Sequence, residues 1–176
     1  MRTVALVVAA CLVGCAASTE AQIVPPVRST QAIVDPAMIF EDRGQKLELY
    51  PALRATPETA GGAVQHRIVR AEANAPIGPR NLGVLFNHTL QARGFLTGEI
   101  TFKPKGDGPP VGFDPATYPG LAKVTNPNIY EVVATSPKAF MLLFNRLKAR
   151  GDLEWVEAVV IYGPAANDAS VPAPGR

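Results

Sequence analysis

The chain of 176 residues carries 17 Lys and Arg against 15 Asp and Glu, which gives a formal net charge of +2. Because a nucleic-acid interface needs a strongly basic face, this near balance argues against DNA or RNA as a partner. Both cysteines, Cys11 and Cys15, lie near the N-terminus, so the rest of the chain has no disulfide, no thiol nucleophile and no cysteine ligand for zinc.

Residues 1–14 have the organisation of a secretory signal. Arg2 is followed by an almost continuous apolar run over residues 4–13, which is shorter than the roughly 20 residues that span a bilayer. The run leads into Leu12-Val13-Gly14-Cys15, which resembles the lipobox of bacterial lipoproteins. This resemblance implies that Cys15 is lipidated and becomes the new N-terminus. The residue after it, Ala16, is not Asp, which in that family implies the outer membrane.

Two alternatives remain open for this segment. Ordinary cleavage at a small-x-small site, either Gly14-Cys15-Ala16 or Thr19-Glu20-Ala21, would release a chain without a lipid. The apolar run could also be a buried strand of a cytosolic protein, although its position directly behind Arg2 at the N-terminus favours the signal.

Three further regions follow from composition. Residues 15–36 are small, polar and Pro-containing, which predicts a flexible tether after the lipid anchor. Residues 164–176 contain several prolines and few large apolar groups, which predicts a disordered tail. Residues 37–163 lie between them, and this length is sufficient for a single domain with one hydrophobic core.

Strand patterns are spread along the whole domain. Residues 37–50 predict a hairpin with its turn at Asp42-Arg43-Gly44, and residues 104–128 predict a long loop rich in Gly and Pro. Alternation or a high content of β-branched and aromatic residues predicts four more strands, at residues 63–71, 96–103, 129–135 and 155–162.

An internal repeat predicts two helices. Leu85-Phe86-Asn87 with Ala92-Arg93-Gly94 recurs as Leu143-Phe144-Asn145 with Ala149-Arg150-Gly151. Apolar residues at helical spacing surround both copies, and each copy ends in a glycine that suits a left-handed cap. Ser136-Pro137 adds an N-cap and a first-turn proline to the second copy. Ancestral duplication and chance similarity of two amphipathic helices remain equal explanations.

The resulting order, strand-helix-strand repeated twice, predicts an α+β fold. We expect a ferredoxin-like sandwich with two helices on one face of a four-stranded antiparallel sheet, extended by the N-terminal hairpin. The helices would leave the other sheet face open. Thr97, Glu99, Thr101 and Lys103 form the polar side of the strand at residues 96–103 and are the predicted binding face.

Motifs for catalysis are not found. His66 lies on a predicted strand and His88 on a predicted helix, and neither has the spacing of a metal-ligand pair. There is no serine elbow and no phosphate loop, and Ser136 is explained as a helix cap. We therefore expect a non-enzymatic binding or assembly module without metal or cofactor. The alternatives are an envelope hydrolase with a site near His66 or His88, and a structural subunit of an envelope complex.

One domain family shares some of these features. The strand-helix-strand repeat, the opening Val64-Gln65 and the helices ending in Ala-Arg-Gly are similar to SPOR domains over residues 63–162. This resemblance implies peptidoglycan as a ligand, and an envelope protein is the alternative partner that we expect. The chain lacks the Gly-Phe/Tyr pair that this family has after the opening, and its central loop is longer, so no binding residue is transferred. The predicted location is the periplasmic face of the outer membrane.

Overall fold

The computed structural model describes residues 38–108, 111–114, 116–124 and 128–164. The predicted signal, the tether with Cys15 and the tail beyond Pro164 lie outside these ranges. The described residues form eight strands and one helix, which are β1 (Ile39–Asp42), β2 (Gln45–Ala60), β3 (Ala63–Arg70), β4 (Leu82–Asn87), β5 (Ala92–Pro104), β6 (Ala122–Lys123), β7 (Tyr130–Val133), α1 (Pro137–Lys148) and β8 (Leu153–Tyr162).

All eight strands belong to one antiparallel sheet. Its main path runs β1-β2-β4-β5-β7-β6, while β3 pairs with β2 and β8 pairs with β5. The two long strands change partners along their length. The first half of β5 pairs with β4, whereas its second half pairs with β7. The sheet is therefore organised around β2 and β5, each of which pairs with three other strands.

The ferredoxin-like sandwich is wrong, because the first predicted helix is a β-hairpin. Residues 82–94 contain β4, a turn and the beginning of β5. All six residues of β4 are buried, so apolar residues occupy both faces of the strand and imitate a helical spacing. The Oδ1 atom of Asn87 accepts the N–H groups of Thr89 and Leu90, each at 2.9 Å, and thereby stabilises the turn.

The second predicted helix is confirmed as α1. The Ser136 hydroxyl accepts the Ala139 N–H at 3.2 Å, and Pro137 begins the helix. The C-terminal cap is Ala149 in a right-handed conformation rather than the predicted Gly151. The apolar side of α1 packs into the larger core of the sheet, through Phe140, Met141, Leu143, Phe144 and Leu147.

The predicted strands and the N-terminal hairpin are confirmed, but β2 continues ten residues beyond the predicted end at Tyr50. Pro51 and Pro57 obscure this continuation in the sequence, because proline cannot donate to a strand ladder. A register shift between Tyr50 and Arg54 accommodates the interruption. The Arg54 side chain is buried there and donates to the carbonyl groups of Pro51, Leu53, Ala75 and Pro76, which ties the bend to the following loop.

A second, smaller core lies on the face of β4 and β5 opposite α1. It contains Ala55, Ile68, Leu82, Val84 and Phe95. At this end the sheet curls until β3 reaches the chain that follows β8, where the His66 N–H donates to the Pro164 carbonyl at 3.1 Å. The first part of β5 is therefore covered on both faces.

Candidate functional site

The predicted binding strand contains a bulge at its centre. Leu96 lies opposite Val160 and Ile100 lies opposite Ala158, so three residues of β5 face Val159 alone. Gly98 makes the bulge with a φ of +92°, and a Cβ atom there would lie 2.4 Å from the carbonyl oxygen of Ala134. No other residue type fits this position without moving the backbone.

The bulge places Thr97 differently from the other three predicted residues. Thr97 is buried, and its hydroxyl lies 3.1 Å from Glu99 Oε2 while accepting the Glu99 N–H at 3.2 Å. Beyond the bulge, Ile100 and Phe102 enter the larger core. Because side chains alternate along a strand, Glu99, Thr101 and Lys103 share the opposite face and are partly exposed.

Neighbouring strands extend this face on both sides. Thr101 lies opposite Glu131 of β7 and opposite Glu157 of β8, and Lys103 lies opposite Trp155. We call the partly exposed residues of this surface the open face, namely Glu99, Thr101, Lys103, Glu131, Val133, Trp155, Glu157 and Val159. The smaller core covers the other end of the same face of β5, and the open face is the part of this face that solvent reaches.

Charges on the open face are partly paired. Lys103 Nζ lies 2.6 Å from Glu154 Oε2, and Arg43 reaches Glu157 at 3.5 Å. Partial burial raises the pKa of Glu131 above its usual value, and the Glu99 carboxylate nearby raises it further. Exposed ion pairs of this kind contribute little to stability, so these side chains remain available for contacts with a partner.

His66 lies outside the open face, in the smaller core. Its ring stacks on Phe95 with the two centroids 4.0 Å apart, and the residue is 5% exposed. Its Nδ1 atom has no hydrogen-bond partner in the described structure. The ring therefore packs against an aromatic residue of an apolar cluster.

His88 lies in the turn after β4, not on a helix, and is held by a carboxylate. Its Nε2 atom lies 2.6 Å from Glu48 Oε2, and its ring meets Phe86 edge-on. Tyr50 also bonds to Glu48. Burial, followed by the charge and hydrogen bond of Glu48, raises the pKa of Tyr50 to about 12, so the phenol stays protonated. The structure thus joins Glu48 and Tyr50 of β2 with His88 of the turn after β4.

Sequence patterns could not identify all of these residues. The sequence predicts the strands at residues 129–135 and 155–162 but not their pairing with β5, so it does not identify Glu131 and Trp155. Within the described ranges, no group of three His, Cys, Asp or Glu residues could hold a metal ion. No helix in the described part of the chain is long and apolar enough to cross a membrane.

Comparison with known proteins identifies no similar protein. No protein-family model, no curated protein and no solved structure matches the chain.

Proposed function

We propose that this chain is an envelope-anchored lipoprotein whose domain is a non-enzymatic binding or assembly module. The observation that carries the binding role is the open face. The first part of β5 is covered on both faces, whereas Glu99, Thr101 and Lys103 in its second part stay partly exposed beside Glu131 and a tryptophan. Polar groups around an aromatic side chain are typical of surfaces that recognise partners.

The anchoring part of the proposal rests on the lipobox-like Leu12-Val13-Gly14-Cys15. A single acyl chain binds membranes only marginally, so firm anchoring requires several chains on Cys15. Mass spectrometry of the native N-terminus tests this directly. We expect a lipid on Cys15, and we expect Cys15→Ala to leave an unprocessed or soluble product. A free N-terminus downstream of Cys15 that carries no lipid, such as Gln22, would contradict the anchoring proposal.

The partner that we propose is an envelope protein or peptidoglycan at the periplasmic face of the outer membrane. The near balance of charge argues against nucleic acid. Sedimentation with purified peptidoglycan sacculi separates the two partner classes. Binding to sacculi alone identifies the polymer, whereas binding that requires envelope proteins identifies a protein partner.

The open face itself is tested with a double variant, Thr101→Lys with Glu131→Lys. These two residues lie opposite each other on paired strands. A matched control is Gln65→Lys with Glu58→Lys, which lie opposite each other on β3 and β2 and change the net charge by the same amount. In a deletion strain, we expect the control to restore the envelope phenotype and the open-face variant to fail although it is folded and correctly localised. Full restoration by both variants would reject the open face as the binding surface.

A hydrolase is the second candidate, because Glu48 orients His88 at 2.6 Å. A carboxylate-bound imidazole is a common arrangement for a general base. Replacing His88 by Gln distinguishes the two functions. The binding module predicts that this variant complements the deletion strain, whereas the hydrolase predicts a folded but inactive protein.

A further inference from the structure

Three glutamates surround one hydroxyl group on the open face. Thr101 of β5 lies opposite Glu131 of β7 and opposite Glu157 of β8, so these three residues form a row across neighbouring strands. Glu99 lies two residues before Thr101, on the same side of β5. Neighbouring strands are about 4.8 Å apart and alternate residues of one strand about 7 Å apart, so one bound side chain can reach several of these groups. We call Thr101 and the three glutamates the acidic patch.

Solvent reaches the acidic patch, in contrast to the core side of the same strands. The alternate residues of β5 enter the larger core, whereas Glu99, Thr101 and Glu131 are partly exposed. The side chain of Glu157 is 33% exposed. A partner can therefore contact all four residues of the patch without any displacement of the core.

Two cationic side chains lie beside the acidic patch, and carboxylates outside the patch engage both. Lys103 Nζ lies 2.6 Å from Glu154 Oε2. Arg43 Nη1 lies 3.5 Å from Glu157 Oε2, and Arg43 Nε lies 3.4 Å from Asp42 Oδ2. The charge of Glu157 is therefore partly neutralised by a cation that it shares with a second carboxylate.

The other two glutamates of the patch have no cation beside them. Within the described ranges, no ion pair joins a Lys, Arg or His side chain to Glu99 or Glu131. Glu99 Oε2 lies 3.1 Å from the hydroxyl of Thr97, which is a neutral donor. Partial burial raises the pKa of Glu131, and the charge of Glu99 raises it further. Because these two carboxylates repel each other, a cation that binds beside them is favoured.

We propose that the open face binds a basic segment of a partner protein. A cationic side chain of the partner lies between Glu99 and Glu131 and donates to the Thr101 hydroxyl. An adjacent apolar side chain of the partner packs on Val133, which lies opposite Glu99 on β7. A protein segment fits this face better than a sugar polymer, because it supplies a cation and an apolar group at neighbouring positions. This inference rests on the proposed binding function and names the chemistry of its partner.

Trp155 makes the proposal directly measurable, because it is the only tryptophan of the chain and lies on the open face, two residues before Glu157. The full exported chain in detergent is titrated with the probe acetyl-Thr-Val-Arg-Val-Thr-amide. Two control peptides have glutamate or citrulline in place of arginine, and citrulline keeps the shape of the side chain without its charge. We expect a saturable change in Trp155 fluorescence with the arginine probe, and at least about tenfold weaker binding of both controls.

A pair of isosteric variants tests the carboxylates. Glu131→Gln removes one charge from the acidic patch, and Glu58→Gln removes one from an exposed side chain on β2, outside the open face. We expect Glu131→Gln to weaken the binding of the arginine probe about fivefold, which corresponds to one partly exposed ion pair. Glu58→Gln should leave the affinity unchanged.

Four results would overturn the inference. The first three are no fluorescence change with the arginine probe at millimolar concentration, equal affinity for the arginine and citrulline peptides, and equal affinity of the two glutamine variants. The fourth is sedimentation with sacculi alone that the arginine probe does not reduce, which would assign the open face to the polymer.

The open-face variant, Thr101→Lys with Glu131→Lys, separates these failures from that of the proposed function. If that variant loses function while the arginine probe does not bind, the basic partner alone is rejected. If the probe binds while that variant functions normally, the proposed function of the open face is rejected.

Discussion

Two segments of this chain share a sequence pattern and differ completely in structure. Residues 85–94 and 143–151 both contain Leu-Phe-Asn followed by Ala-Arg-Gly. The first segment is the end of β4, a turn and the beginning of β5, whereas the second is the last half of α1 and the turn after it. The same local residues are therefore compatible with both a strand and a helix.

The surroundings of the two segments explain the difference. Residues 143–148 lie on a helix with one buried side, and Leu142, Asn145 and Arg146 are exposed. The β4 segment is buried on both sides, between the larger core at Leu85 and the smaller core at Val84. A segment that is buried on two opposite sides favours a strand, because successive side chains of a strand point in opposite directions.

Phe86 and Phe144 occupy the same position in the two copies of the pattern, and replacing them should give the largest difference in stability. Phe144 is 1% exposed and contacts the rings of Phe40 and Phe140 at 5.2 and 5.6 Å. Phe144→Ala should lower the free energy of unfolding by roughly 3–5 kcal/mol. Phe86 is 7% exposed and lies outside both cores, so Phe86→Ala should cost roughly 1–3 kcal/mol. Denaturant unfolding measures both values, and equal losses would contradict the placement of Phe86.

Gly94 and Gly151, which end the two copies, should show the second largest difference in stability when each is replaced by alanine. A Cβ atom on Gly94 would lie 2.6 Å from Val160 Cγ1 and 2.8 Å from Leu85 Cδ1. Gly94→Ala should therefore cost up to about 3 kcal/mol through overpacking. Gly151 has nothing within 4 Å of such an atom, and Gly151→Ala should stay within about 0.5 kcal/mol. Thermal melts of the two variants test this, and a tolerated alanine at Gly94 would show that β4 and β5 pack less closely.

The matched asparagines should give a smaller difference. Asn87 is fully buried and donates to Gln45 Oε1 at 2.7 Å and to the Tyr162 hydroxyl at 2.8 Å. Asn87→Ala removes these two hydrogen bonds together with those to the Thr89 and Leu90 N–H groups, and it should cost about 1–2 kcal/mol. Asn145 is exposed on α1, where alanine has a higher helix propensity, so Asn145→Ala should be neutral or slightly stabilising. Equal destabilisation by both changes, measured in urea, would be inconsistent with these environments.

The smallest difference is expected between the two segments as isolated peptides, where neither has its tertiary contacts. Synthetic peptides of residues 81–95 and 136–151 are too short to fold firmly in water. Circular dichroism in trifluoroethanol should show helix in both, because this solvent favours helix beyond the native content. If the first peptide stays non-helical there, its strand is specified locally and the two cores are not the cause.

The candidate site was predictable only in part. Glu99, Thr101 and Lys103 lie on one face because alternation over residues 99–103 specifies it, whatever the rest of the sheet does. The burial of Thr97 depends on the bulge at Gly98, where the carbonyl of Ala134, the residue after β7, approaches closely. The pairing of Thr101 with Glu131 and Glu157 joins residues that are 30 and 56 positions apart, and no local pattern encodes such a pairing.

The sequence by itself determined the elements whose signals are local. The turn at Arg43-Gly44, the cap at Ser136, the apolar side of α1 and the alternation in β5 all follow from residues close together in the chain. Tertiary structure decided the rest: the conformation of residues 82–94, the length of β2, the bulge in β5 and the order of strands. These features depend on which surfaces are buried on both sides, and that is set by contacts between distant segments, which override weak local propensities.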